Sequence, residues 1–273
     1  MLARLVGEDI AFWFGYFTNG RHMAWYTSFR FTIIAALLGG VLALVFGVLG
    51  ALLKRSRFLP ARLIGGVYTG VVRGVPDVLF FLFFPLVFIQ GLELVAAQFV
   101  CTPESIEAYQ SNWPPCREAS LYFSTEQYLV LACFALGIVY GAFVANVIHG
   151  AMRAVPSGQL EAARAYGMSE GQVLMRIHIR QMWVYALPGL SNVWMLLIKA
   201  TALLSLLQIN DIVWWAGQLG APNFLPQVGM VHGDWRWGYY TALFVFYILV
   251  TLLSERFFRA VTKRARRGMP VES

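Results

Sequence analysis

The chain has 273 residues, of which 59% are hydrophobic and only 13% charged, and a net charge of +7. A soluble domain of this length carries about twice that charged share, so the composition excludes an ordinary soluble globule and points to an integral membrane protein. The positive charge, which in a soluble chain would suggest nucleic acid, is accounted for below by where it falls between apolar runs.

At the N-terminus the acidic Glu8 and Asp9 come early, and no unbroken apolar core precedes a small-residue cleavage site. A cleavable signal is therefore not expected. Ile10 to Phe17 is short and aromatic, and is expected to lie in the outer interface, at the level that Trp and Tyr rings favour. Phe31 to Leu53 follows as a 23-residue run without a charge, long enough to cross the hydrocarbon as a helix. Four more apolar runs, near 78–99, 127–148, 184–207 and 238–254, bring the expected spans to five.

The second span is irregular. Ala61 to Gln98 is too long for one straight crossing, and Arg73-Gly-Val-Pro-Asp77 interrupts it; Pro76 removes a donor and kinks a helix. Arg73 and Asp77, four apart, are placed to pair on one helix face at the cytoplasmic mouth. A kink with a neutralising pair, a gate, and a direct contact with solute all fit this pattern. Cys101 and Cys116 flank a polar, proline-containing loop on the predicted outer side. Two free thiols or a bridge are open; a bridge would contribute about 3 kcal/mol in the chain-entropy account. Cys133 lies within span three, as a small apolar filler.

Between spans three and four, Pro156 to Pro188 carries a polar block. Ser157 reads as an N-cap, Leu160 to Tyr166 as helix, and Gly167 as a left-handed stop. Ser169 with Gln172 reads as a capping box for a second helix, on which Val173, Leu174, Ile177 and Gln181 recur at helical spacing. Such a helix–turn–helix either lies on the membrane surface or docks a partner.

Basic residues set the orientation. Lys54, Arg55, Arg57 and Arg62 follow span one, Arg153, Arg164, Arg176 and Arg180 lie between spans three and four, and Arg256, Arg259, Lys263, Arg264, Arg266 and Arg267 follow span five. These are fourteen of the 21, against five (Arg4, Arg21, Arg30, Arg117, Arg236) on the opposite side. The positive-inside rule then places the N-terminus outside and the C-terminus in the cytoplasm, which requires an odd number of spans.

The block between spans three and four carries a family resemblance. Glu161-Ala162-Ala163, three residues, Gly167, nine residues and Ile177 resemble the EAA loop of ATP-binding-cassette importer permeases. Pro156-Ser-Gly-Gln159 precedes the Glu as in polar amino-acid permeases. Arg73 to Asp77, Val139 to Phe143, Tyr185 to Gly189 and Lys199 to Leu207 are similar to the histidine/lysine/arginine/ornithine branch and to opine permeases. The resemblance covers about residues 28 to 260. It implies an all-α, five-span, type I importer permease of the bacterial inner membrane. An outer interfacial segment (1–27) would precede a transmembrane domain (28–260) with a cytoplasmic loop at 153–183 and an outer loop at 100–126, and a basic cytoplasmic tail (261–273) would follow. Glu161, Ala162, Ala163, Gly167 and Arg180 would then form the joint with an ATPase. Three departures stand out. Arg180 replaces the proline that ends the family's loop, Asn146 stands where relatives often have Glu (with His149 where they have Arg), and the cysteine loop is long.

Polar residues within the spans mark a candidate translocation path: Asn146, Tyr140, Thr201, Ser205, Lys199 and Asp77. Thr201 and Ser205, four apart, are expected to share a face; hydroxyls in spanning helices also bond their own backbone. Lys199 is a candidate to snorkel or to pair with Asp211. His178 and His232 read as surface residues, and nothing suggests a metal site. No phosphate-cradling Gly-x-x-x-x-Gly-Lys-Ser/Thr pattern occurs, so ATP and Mg would be held by partner subunits and the chain itself would be no enzyme. The implied partners are two ATPase subunits, a second permease (identical or homologous), a periplasmic or tethered solute-binding protein, lipid, and an amino-acid solute. The competing reading is an ion-coupled secondary transporter acting alone. That class shows internal repeats and mid-membrane carboxylates; no convincing repeat is present.

Overall fold

A computed structural model of the chain describes residues 2–109, 113–207, 209–225 and 230–266, with side chains from residue 10 onward. The side chains of Arg4, Glu8 and Asp9, residues 110–112 of the outer loop, and Arg267 with the rest of the tail lie outside the described residues.

The described residues are helical apart from short connections. Among the described residues ten helices follow in order, besides a 3₁₀ turn at Arg117–Ala119: α1 (Leu2–Phe17), α2 (Gly20–Arg55), α3 (Leu59–Gly74), α4 (Asp77–Val100), α5 (Pro103–Ala108), α6 (Thr125–Ala154), α7 (Ser157–Ala165), α8 (Glu170–Leu207), α9 (Ile212–Gly220) and α10 (Arg236–Ala265). Five of them, α2, α4, α6, α8 and α10, are long and apolar enough to cross a membrane, as expected from the apolar runs.

The central pillar is α6, half of whose residues are buried. It packs lengthwise on α2 along a seam of small residues: Gly39 meets Leu136, Gly47 meets Val144, Gly50 meets Ala145 and Leu42 meets Gly137. Rising numbers pair with rising numbers, so α2 and α6 run parallel, and the α3–α4 segment must cross back between them. Small residues let two helices approach closely where lipid offers no hydrophobic drive to associate. Around this seam Ala35, Phe81, Val139, Leu190, Leu197 and Leu204 form the main core. A second cluster of Trp25, Ile212, Ala216, Leu219, Tyr239 and Leu243 fastens α9 and α10 to the start of α2. By contrast α4 and α10 show broad apolar faces outward, including Leu82, Phe83, Leu86, Phe244, Ile248 and Leu253. Lipid is the natural neighbour of such faces.

Three expectations are corrected at this level. The N-terminal aromatic stretch, which carries no correction, forms the end of a longer helix, Leu2–Phe17. Asn19 Oδ1 accepts from His22 Nδ1 (3.0 Å), so His22 Nε2 accepts from the Tyr239 hydroxyl (2.8 Å), which also meets the Tyr16 hydroxyl (3.2 Å). These bonds tie α1, α2 and α10 together. The second span is two helices, not one kinked helix. Val75, forced out of helical geometry by the following proline, is extended (φ −92°, ψ 133°), and α4 starts afresh at Asp77. The break takes Arg73 and Asp77 off any common face. Arg73 instead sits over the Phe143 ring at 5.3 Å, and Asp77 accepts from the Tyr140 hydroxyl at 2.7 Å. Tyr140 is halfway along the 30-residue α6, so Asp77 lies beside the middle of that helix and not at a mouth.

The remaining two corrections concern the polar block. Ser157 is the first residue inside α7, and Pro156 holds the cap position without a side-chain bond. The second short helix and the fourth span are one continuous rod, α8. Nothing between Ile179 and Val184 breaks a helix, and Arg180 supplies the backbone donor that a proline would lack.

Candidate functional site

The polar block folds as read at its turn. Gly167 N–H donates to Arg164 O (2.9 Å) and Met168 N–H to Ala163 O (3.2 Å), with Gly167 at φ 77°. This is a Schellman ending, which satisfies the last carbonyls of α7. The Ser169–Gln172 capping box is present in both directions at the start of α8. An ion pair from Arg164 to Glu170 (2.6 Å) and a Gln181–Gln159 side-chain bond brace α7 against α8. Both members of the ion pair are exposed, so its worth is small and mainly orientational.

One stripe of α7 is left outward. Gly158, Glu161, Ala162 and Ala165 follow at i, i+3, i+4 and i+7 and are all exposed, with Tyr166 beside them. The two alanines divide. Ala162 belongs to the outward stripe, whereas Ala163 is buried and closes the joint between α7 and α8. Arg180 is exposed.

The start of α8 departs from the expected face. Val173 to His178 is a π-helical stretch, in which Ile179 N–H reaches back five residues to Leu174 O. The extra residue per turn brings Val173, His178 and Met182 inward, and leaves Ile177 and Gln181 half-buried at the side. His178 is therefore not a surface residue: its Nε2 donates to Met152 O (2.8 Å), one of the carbonyls left open at the end of α6. His232 is half-buried, stacked on Trp235 at 4.4 Å.

The mid-span candidates do not form one cluster. Asp77 and Tyr140 are joined as described, and Asn146 is held separately, its Oδ1 accepting from Lys54 Nζ and its Nδ2 donating to Ala142 O (3.3 Å). With a lysine ammonium on its oxygen, Asn146 stands in positive surroundings. Thr201 and Ser205 bond their own helix, at Ile198 O (2.7 Å) and Ala202 O (3.2 Å). They do not share a face: Thr201 to Leu207 is a 3₁₀ segment, in which three residues make a turn, so Thr201 lines up with the buried Leu204 and Leu207. Lys199 is exposed, and Asp211 does not pair with it; Asp211 Oδ1 caps α9 at Trp214 N–H (2.9 Å).

Two residues outside the candidate path matter. Glu93, buried within α4, accepts from Trp113 Nε1 (2.7 Å) and from Leu121 N–H (3.1 Å), pinning the loop that the Cys101–Cys116 disulfide closes. A lone carboxylate in an apolar run was the available signal. Asn192, exposed in the middle of α8, lies seven residues from both Tyr185 and Lys199, a spacing that was visible in the sequence. Among the described residues no cluster of His, Cys, Asp and Glu could hold a metal ion.

Comparison with known proteins agrees with this architecture. Residues 43–267 match the family described as binding-protein-dependent transport system inner membrane component. The chain is 32% identical to the nopaline transport system permease protein of Agrobacterium fabrum, over 87% of this chain and 89% of that protein. It is 38% identical to the histidine/lysine/arginine/ornithine transport system permease protein of Salmonella typhimurium, over 67% and 71% respectively. In fold it matches a chain of a crystallised amino acid ABC transporter with histidines (TM-score 0.60, 21% identity, 88% of this chain and 94% of that one). A chain of the inward-facing MetNI methionine ABC transporter also matches (TM-score 0.53, 16% identity, 90% and 95%). The secondary-transporter alternative finds no support in these relatives. The chain belongs to the inner membrane components of binding-protein-dependent transport systems: it is a permease subunit, of a family whose members work with an ATPase and a binding protein.

Proposed function

We propose that this subunit serves an importer of amino acids or related opines, and that α7 is the joint through which ATPase closure moves the spans. The solute class rests on the relatives, which are named as permeases for nopaline and for histidine, lysine, arginine and ornithine. The joint rests on one observation, the outward stripe of Gly158, Glu161, Ala162 and Ala165 on a short helix braced to the unbroken rod of α8. Three small residues around one carboxylate permit close approach of a groove and present it one charge. A push on α7 passes through the Schellman turn into a helix of 38 residues, and packed helices respond to such pushes as rigid bodies. Arg180, exposed ten residues into that rod, is a second contact for acidic groups on the ATPase. The N-terminus lies outside and the C-terminus in the cytoplasm, on the asymmetry of Lys and Arg. Two ATPase subunits binding ATP and Mg, a second permease and a solute-binding protein complete the assembly.

The test is uptake by the reconstituted complex with Glu161→Lys. Transport falls at least about tenfold, as loss of a charge-assisted contact warrants, while the amount of permease in the membrane is unchanged. Wild-type uptake by that variant, or a purified permease that carries solute with no ATPase present, overturns the reading.

A further inference from the structure

The outward face of α8 carries an amide and an ammonium at membrane depth, which the outward face of α10 does not. Tyr185, Pro188, Asn192, Leu196 and Lys199 are all exposed and follow at intervals of three, four, four and three, one stripe along the rod. Asn192 lies near the middle of the crossing and Lys199 two turns further on. Neither side chain has a hydrogen bond or ion pair among the described residues. On α10 the exposed residues at corresponding depth are aliphatic or Phe, as lipid requires; on α4 they are aliphatic, Phe or Gly apart from one uncharged polar residue, Gln90. The flank of α8 that borders α2 and α10 is equally apolar: Trp183, Leu187, Leu190 and Trp194 line a groove of about 640 Å³ with hardly a polar atom. So one helix presents lipid-compatible surface on one side and, on another, an amide and an ammonium at membrane depth. Polar side chains so placed face water or protein, not hydrocarbon.

We propose that the Tyr185–Lys199 stripe of α8 lines the water-filled path through the assembled permease, with Asn192 facing the moving solute and Lys199 receiving its carboxylate. An ammonium in a confined aqueous path attracts carboxylates more strongly than it would in bulk water, and every amino acid or opine carries one. Lys199 thereby serves the part of the solute that all members of the class share, and leaves side-chain discrimination to other groups. This inference rests on the importer reading above, and deepens it from a solute class to a site.

The experiment uses the whole complex in membrane vesicles, with Cys133→Ser to remove the free thiol and the Cys101–Cys116 bridge left intact. Single substitutions Asn192→Cys, Leu196→Cys and Lys199→Cys are compared with Leu253→Cys on the apolar flank, by reaction with a charged, membrane-impermeant thiosulfonate. The stripe positions react at least about tenfold faster than Leu253→Cys, because the reagent needs water to reach the thiol. At Leu196→Cys, about 4.5 Å along the helix from Lys199, an anionic reagent is favoured over a cationic one. Adding Lys199→Gln lowers that preference by about tenfold, and Lys199→Arg restores it. Stripe labelling no faster than at Leu253→Cys shows that lipid or a neighbouring subunit covers this face, and overturns the proposal. Fast labelling whose charge preference ignores Lys199→Gln overturns the assignment of the ammonium to the path. ATPase co-purification from the same membranes reports on the importer reading separately, so failure of one is distinguishable from failure of the other.

Discussion

Asp211 is fully buried, yet only one of its carboxylate oxygens is used, as the cap of α9; Oδ2 has no partner among the described residues. Burial pushes its pKa from an ordinary 3.8 up to about 7, against the opposing pull of the N–H bonds from Trp214 and Val213. An acid whose folded pKa is raised favours the folded state most when protonated. Its contribution is complete below 3.8 and is lost as pH rises through about 7. Thermal unfolding of the purified permease in detergent is therefore expected to show stability falling between those pH values, and Asp211→Asn, which keeps the capping oxygen, to flatten that dependence. Identical pH profiles for the two proteins would contradict this account. Glu93 shows the opposite solution to the same difficulty: both its oxygens are used, by Trp113 and Leu121, and a buried carboxylate becomes a structural pin.

Among the elements, the turn between α7 and α8 depends on one conformation. Gly167 is held at φ 77°, where a Cβ costs about 1 kcal/mol. Gly167→Ala is expected to speed hydrogen exchange at the amides of Gly167 and Met168 several-fold, as about 1 kcal/mol implies, while α6 exchanges as before. Unchanged exchange would show that the turn does not depend on glycine. This element was legible in the sequence because its signals are local: a glycine stop, then Ser and Gln three apart. What followed was not legible, because it depends on tertiary contacts. The π stretch at Val173–His178 exists where His178 turns inward to an open carbonyl of α6, and no periodicity of α8 alone announces that. The 3₁₀ segment at Thr201–Leu207 likewise separated two hydroxyls that α-helical spacing had put together. Pro76 announced a break but not its consequence, since Asp77 finds Tyr140, which lies 63 residues away in sequence.

At the scale of the whole molecule, five spans and their approximate limits followed from runs of apolar residues, because a bilayer punishes any other arrangement of backbone. Which span sits at the centre did not follow, since α6 and α2 are as apolar as α4. The discriminating feature is small-residue spacing: Gly39, Gly47 and Gly50 on α2 answer Gly137 and Gly141 on α6, so that among the described residues these two helices stay close over several turns. Gly47 is the tightest point, where a Cβ would stand 2.2 Å from Val144 Cγ1 and 2.5 Å from its Cβ. The valine branches at its Cβ, so no rotamer clears that space, and the helices must separate. Gly66 on α3 is the fitting control, because a Cβ there meets nothing within 4 Å. In a helix Gly→Ala alone adds about 0.5–1 kcal/mol of stability. Gly66→Ala is thus expected to hold or raise the melting temperature in detergent. Gly47→Ala is expected to lower it by the equivalent of about 2 kcal/mol, the usual penalty of overpacking a closed contact. Should Gly47→Ala melt with Gly66→Ala, the α2–α6 seam would not be the contact that organises the five spans, and the rigid path from α7 to the membrane interior would need another spine.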